Sequence, residues 1–183
     1  MTTTFDPWTL VKTANGFAAD EVISALQKEI RRGHAENACL LAHELCQTSP
    51  ELERKLWDRL CVISVEDIGF GKPNAPVLVQ TLWQMASRFG PREGDRYLFS
   101  VHAVRYLCQC QKDRSTDEMI NYFFQAKPQP VIPDYAIDMH TARGQAMGRG
   151  PKHFWEEGAK LEPELAGRDA SYLEKVLALL GGD

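Results

Sequence analysis

No apolar run in this chain approaches the roughly 18 residues that a membrane-spanning helix needs, so no transmembrane segment is expected. The first residues, Met1-Thr-Thr-Thr-Phe-Asp6, lack both the basic start and the apolar stretch of a secretory signal. Cysteine is sparse and odd in number: Cys39, Cys46, Cys61, Cys108 and Cys110. Cys108-x-Cys110 is too short for a C-x-x-C redox or zinc half-site, and the other three sit singly in apolar helical patterns. The five therefore read as reduced core thiols of a cytoplasmic protein. Runs of alternating β-branched residues are missing as well, and so is any internal period. Gly-x-Ser-x-Gly does not occur, and no cysteine has the basic surroundings of an activated nucleophile. A net charge of −4 argues against a general nucleic-acid coat but leaves room for a local basic face.

Helical periodicity is what remains, and it is abundant. Phe5 to Leu10 suits a short lead-in helix with Pro7 in its first turn. Asp20 is a candidate N-cap for a helix with Val22, Ile23, Leu26 and Ile30 on one face. Lys28, Arg31 and Arg32 suit its C-terminal dipole, and Gly33 its stop. Ala35–Cys46 repeats the pattern with Ala38, Leu41, Ala42 and Leu45. Ser49-Pro50 opens a third helix carrying Leu52, Leu56, Leu60 and Ile63, ended by Gly69, Gly71 and Pro73. A fourth, from Ala75-Pro76, shows Leu78, Leu82, Met85, Ala86 and Phe89. A fifth, Asp95–Cys110, groups Tyr97, Val101, Val104 and Cys108. Ser115-Thr-Asp-Glu118 has the form of a capping box for a sixth helix bearing Met119, Phe123 and Phe124. Lys127-Pro-Gln-Pro-Val-Ile-Pro133 then reads as a semi-rigid extended connector. Beyond it the chain is rich in glycine until Asp169, which is placed to cap a last helix with Tyr172, Leu173, Val176, Leu177 and Leu180. The expected architecture is an all-α bundle of antiparallel neighbours over residues 1–126. A proline-linked, glycine-rich arm and terminal helix, 127–183, would pack on the same domain.

Three stretches bear on chemistry. Gly69-Phe-Gly-Lys72 looks at first like a phosphate loop, but Glu66 holds the position, five residues before Gly71, where the first glycine is needed, and Pro73 stands where the hydroxyl residue belongs. A helix stop followed by a turn is the better reading. Glu66 and Asp67 are neighbours about 100° apart on a helix, a poor acid–base pair. Sitting near a C-terminus they oppose the dipole, so each needs a partner, Arg59 or an arginine of another helix. A buried structural role is favoured over a metal or binding role. The third stretch, Asp138–Trp155, gathers Arg143, Arg149, Lys152 and His153 in an otherwise acidic chain and ends on Phe154-Trp155. It could contact phosphate or stack on a base. Alternatively Asp138 and His140, with His102 or His153 brought in by the fold, or together with Glu66 and Asp67, are candidates for a metal or polar site. The plain alternative is that the segment packs its aromatics and solvates its charges. His43 reads as a surface or satisfied histidine.

The order of phrases resembles the C-terminal helical region of the RarA/MgsA family of AAA+ ATPases, relatives of clamp-loader subunits. The resemblance is carried by Ser24-Ala-Leu-Gln-Lys28 with Arg31-Arg-Gly33, then Ala38-x-x-Leu41-Ala-His43, then Ser64-Val-Glu-Asp-Ile-Gly69 with Lys72-Pro73. Tyr97–Leu107 and Val131-Ile-Pro133 follow it in outline, while His43 stands where the family has arginine and Asp138–Trp155 does not match. The resemblance implies a collar-like helical fold, assembly into tetramers or dimers through this region, and work at stalled replication forks with other replication or repair proteins. The family's ATPase module lies upstream of this region, and only about twenty residues precede it here, so ATP hydrolysis is not carried over. The expectation is a non-catalytic oligomerisation scaffold with no cofactor and no membrane contact. The alternative is a small metal-dependent enzyme, or a phosphate- or single-strand-binding protein, using the 138–155 segment.

Overall fold

The computed structural model describes residues 6–181, and every regular element among them is helical. The single β pairing among the described residues is an isolated bridge between Lys12 and Ala18. The chain divides into two compact units, Met1–Lys127 and Pro128–Asp183.

The first unit begins with a 3-10 turn, Pro7–Leu10, whose N-cap Asp6 accepts from the Trp8 amide. The expected start at Phe5 lies outside the described residues. Six helices follow: α1 (Ala19–Arg32), α2 (Ala35–Thr48), α3 (Pro50–Ile63), α4 (Ala75–Ala86), α5 (Gly94–Gln109) and α6 (Ser115–Ala126). α2 packs against α1, α3 and α5, and α5 also packs on α4. α3 runs centrally, with Leu52, Leu56, Leu60 and Ile63 wholly buried, and Trp57 nearly so. Its start is the one the sequence announces: Ser49 Oγ accepts from the Leu52 amide and Pro50 takes the first position.

Other boundaries are set by contacts from further away. Asp20 is not the cap of α1. Ala18 holds that place: the Val22 amide donates to the Ala18 carbonyl at 3.1 Å and the Ala19 amide to the Val11 carbonyl at 2.9 Å, so the helix has begun before Asp20 is reached. Asp20 instead lies in the first turn, where its charge suits the dipole. Nor does Ser115 cap α6. Arg114 holds the cap position, and Asp113 Oδ1 accepts the Ser115 amide at 2.9 Å from two residues upstream. α4 buries Ala75, Val79, Leu82 and Ala86, while Met85 is exposed. This face is turned from the expected one because α4 is apolar on several sides, and the facing surfaces of α3 and α5 select among them.

The buried carboxylates inside this unit are paired. Glu44 accepts from the Asn15 amide and side chain and from Gln47 Nε2. Burial works against its charge, but the hydrogen bonds from Thr13, Asn15 and Gln47 outweigh it and hold the carboxyl below its ordinary range. Glu53 on α3 meets Arg96 on α5 at 2.6 Å with both side chains largely buried. Arg96 Nη1 also donates to the carbonyls of Ala86 and Phe89, closing the end of α4, and its guanidinium lies 5.6 Å from the Trp83 ring centroid.

The second unit consists of short pieces: a 3-10 turn at Asp134–Ala136, α7 (Ala142–Ala146), α8 (Pro151–His153) continuing into a π turn at Phe154–Gly158, and α9 (Ser171–Leu180). Thr141 Oγ1 caps α7 by accepting from the Gly144 amide. Gly144 packs against the Asp138 backbone so closely that a Cβ would collide with it.

Removing one member of a buried ion pair leaves the other uncompensated. Glu53→Ala is therefore expected to lower the unfolding free energy by about 3 kcal/mol, read as a lower urea midpoint at unchanged slope.

Candidate functional site

Of the residues singled out in the sequence, Glu66 and Asp67 sit at the best-defined polar centre. α3 does not stop cleanly at Ile63. It passes into a π turn, Ser64–Ile68, and then a 3-10 turn, Gly69–Gly71. The π turn buries Asp67 completely, while Glu66 keeps a quarter of its side chain exposed. Arg31 of α1 donates through Nε to Asp67 Oδ1 at 2.5 Å and reaches Glu66 Oε1 at 3.2 Å. Arg114, just before α6, donates to the same Asp67 oxygen at 2.9 Å and to Asp117 Oδ2 at 2.5 Å. Gln27 Nε2 donates to Asp67 Oδ2 at 2.9 Å and to Glu66 Oε1 at 2.8 Å. Burial opposes the charge on Arg114, but the bond to Asp117 and the charges of Asp67, Asp117 and Glu66 prevail and raise its pKa.

The partners of Glu66 and Asp67 are thus arginines of other elements. Arg59 instead donates to Gln27 Oε1 at 3.3 Å, and its Nε is buried without a hydrogen bond among the described residues. Arg31, expected to serve the C-terminal dipole of α1, turns to the carboxylates. Arg32 keeps the terminal role, donating to the Lys28 carbonyl at 3.0 Å. The glycines after Asp67 have a packing reason. A Cβ on Gly69 would collide with the Asp113 carbonyl, and one on Gly71 would lie 2.5 Å from the Gln111 carbonyl oxygen. Gly69 also has φ +49°. The Asp113 amide donates to the Asp67 carbonyl at 3.0 Å. Gly69-Phe-Gly-Lys72 therefore turns against the 111–113 backbone as a helix stop followed by a turn.

The remaining candidates lie in the second unit. Asp138, largely buried, accepts the His140 amide at 2.9 Å through Oδ1 and faces His140 Nδ1 at 3.2 Å through Oδ2. The amide and the ring of His140 hold the Asp138 carboxyl below its usual range against the cost of burial. The His140 ring stands edge-on to Phe154 at 4.9 Å, and Phe154 edge-on to Trp155 at 5.2 Å. Arg149 is committed to Asp134: both Asp134 carboxylate oxygens accept from its Nη2, and the Asp134 and Ile137 carbonyls from its Nη1. His153 Nδ1 is buried without a partner among the described residues. Arg143 and Lys152 are exposed. Glu66 with Asp67, and Asp138 with His140, are thus two separate pairs, one in each unit. Among the described residues no three His, Cys, Asp or Glu side chains gather as a metal ion requires. Burial pushes the Cys46 thiol up to about 12 and the Cys108 thiol up to about 11, the opposite of an activated nucleophile.

Reading the sequence alone missed Arg31 and Arg114 as ligands of Asp67, and Asp134 as the partner of Arg149. The separations of 36, 47 and 15 residues leave no local signal. The one available hint was a pair of carboxylates at a helix end, which calls for cations without saying which.

A family description, MgsA AAA+ ATPase C terminal, matches residues 48–163. Two relatives carry the name Replication-associated recombination protein A. That of Haemophilus influenzae is 31% identical over 121 residues, 66% of this chain and 26% of the relative. That of Bacillus subtilis is 34% identical over 140 residues, 74% of this chain and 32% of the relative. The chain spans about a quarter to a third of the length of these curated relatives.

Asp67→Asn removes a fully buried charge that two arginines face and is expected to cost about 2–3 kcal/mol of stability. Glu66→Gln, at a part-exposed position, should cost less than about 1 kcal/mol. Chemical denaturation of the two variants checks the order.

Proposed function

We infer function from kinship: this chain belongs to the MgsA AAA+ ATPase C-terminal family, and we read it as a non-catalytic assembly module serving replication-associated recombination. One observation carries the reading. The phrase by which the sequence resembles that family, Ser64–Lys72, is spent on internal contacts: Asp67 is buried under two arginines, and Gly69 and Gly71 lie against backbone. A motif used in this way positions helices and leaves no acid, base or phosphate cradle for a reaction. Its output is then a surface, and the first unit exposes large apolar side chains in quantity, among them Leu40, Val62, Val65, Phe70, Leu98 and most of those of α6. The assembly is a homo-oligomer, tetramer or dimer, and its partners belong to replication or repair. The reading requires a solution mass at a multiple of 20.7 kDa in the micromolar range, measured by light scattering or sedimentation equilibrium. A mass that stays at one chain up to about 100 μM, weaker than specific assemblies usually are, would discard it.

A second reading concerns residues 138–155. Arg149 is occupied by Asp134, whereas Arg143 and Lys152 are exposed and form no ion pair among the described residues. His153 and the part-exposed Trp155 stand beside Lys152 in sequence. Two cations left to solvent, one of them three residues from Trp155, suit contact with the phosphates of single-stranded nucleic acid. Fluorescence anisotropy of a labelled single-stranded oligonucleotide should show weak, salt-dependent binding that Arg143→Ala with Lys152→Ala abolishes. Binding that survives in the double variant excludes this segment as the contact.

A further inference from the structure

The second unit holds a cavity of about 670 Å³ lined wholly by its own residues, a size usual for a small-molecule site. Tyr135 of the 3-10 turn and Trp155 of the π turn give it two aromatic walls, and Leu161 and Leu173 an apolar one. The aromatic walls are fixed from behind. Arg149 Nη2 meets both carboxylate oxygens of Asp134, at 2.8 and 2.7 Å, and so pins the turn that carries Tyr135. Phe154, itself edge-on to His140, stands edge-on to Trp155 at 5.2 Å. Gly158 brings the two turns together. A Cβ there would lie 3.2 Å from Asp138 Oδ2 and 3.5 Å from the Tyr135 carbonyl oxygen, so glycine lets the π turn sit against the 135–138 stretch. Single π turns of this kind recur at functional sites.

The charges lining the cavity are uneven. Lys160 pairs with Glu157 at 2.9 Å and Arg168 with Glu164, which neutralises both lining cations. Glu162 lines the cavity too and has no ion pair among the described residues, so one negative charge is left over. An aromatic face attracts a cation through its quadrupole, and tryptophan does so best. We propose that this cavity binds an organic cation: a substituted ammonium whose head lies against the rings of Tyr135 and Trp155, with Glu162 as counter-charge, and whose apolar part meets Leu161 and Leu173. Alkyl groups on the nitrogen weaken its hydration, so such a head leaves water more readily than the strongly hydrated bare ammonium. An anion is the wrong ligand here. A phosphate, suited to Arg143 and Lys152, would face the surplus carboxylate.

Choline is the probe, and its neutral carbon isostere, with a tert-butyl group in place of the trimethylammonium, is the control. Each is titrated into the full chain at matched ionic strength. The readout is the indole N–H cross-peak of Trp155 in proton–nitrogen NMR spectra, assigned by its disappearance in Trp155→Phe. Choline is expected to shift this peak saturably with a Kd of about 1 mM. The isostere should bind about 5-fold more weakly, or worse, for want of the cation–π contact. Tyr135→Ala changes a ring that is 57% exposed, so the unit should stay folded, with the other cross-peaks of 128–181 in place. It should weaken choline binding about 3-fold or more. Glu162→Gln, also at an exposed position, should weaken choline about 2- to 5-fold and leave the isostere unchanged. A Trp155 peak that choline does not move up to about 100 mM overturns the assignment, since a specific site binds more tightly than that. Equal affinity for choline and the isostere overturns it as well, and so does wild-type choline binding by both folded variants.

Discussion

The buried carboxylate of Asp67 is the constraint on which the first unit turns. A charge with no exposure is tolerable only if it is paired and hydrogen-bonded. Asp67 obtains this from Arg31, Arg114 and Gln27, which lie on α1 and at the entry to α6. Each tie fixes a distance between elements far apart in sequence. α1 is held to the end of α3 through Arg31 and Gln27, and the root of α6 is held through Arg114, which also binds Asp117 one turn into that helix. The backbone shares in the arrangement, since the Asp67 carbonyl accepts from Asp113 and the glycines at 69 and 71 let the two segments touch.

A second buried pair does the same work at the other side of α3. Glu53 and Arg96 join α3 to α5, and the spare donors of Arg96 close the last carbonyls of α4. The apolar side chains of α1 to α5 would collapse together in many ways, because oily surfaces are not directional. The two ion pairs and the Glu44 cluster are directional, and they select one arrangement among those the hydrophobic pattern allows. This division explains how a polar phrase in the sequence can mark a family while its side chains are spent on internal contacts.

Most helices of the first unit were legible because apolar residues recurring at helical spacing need only the local chain to be read. Ser49-Pro50 and Gly33 are local signals of the same kind and act as they read. Failures occurred where a local signal competed with a distant group. α1 begins two residues before Asp20 can cap it, where the Val11 carbonyl holds the Ala19 amide, Ser115 yields to Asp113, and Arg31 leaves its own helix end for Asp67. Arg149 reads as a free cation in a basic segment, yet it closes on Asp134 because the turn at 134–136 brings carboxylate and carbonyls to one guanidinium. Asp138 and His140 were legible as neighbours, though not as the carboxylate and the amide and ring that cap one another.

The sequence by itself determined the all-helical class, the place of most helices and the family, since each depends on order and spacing along the chain. The tertiary structure alone decided which arginines meet Asp67, which face of α4 is buried and that α6 buries nothing. These outcomes depend on which surfaces meet in space, and a periodic pattern says that a face is apolar without saying what covers it.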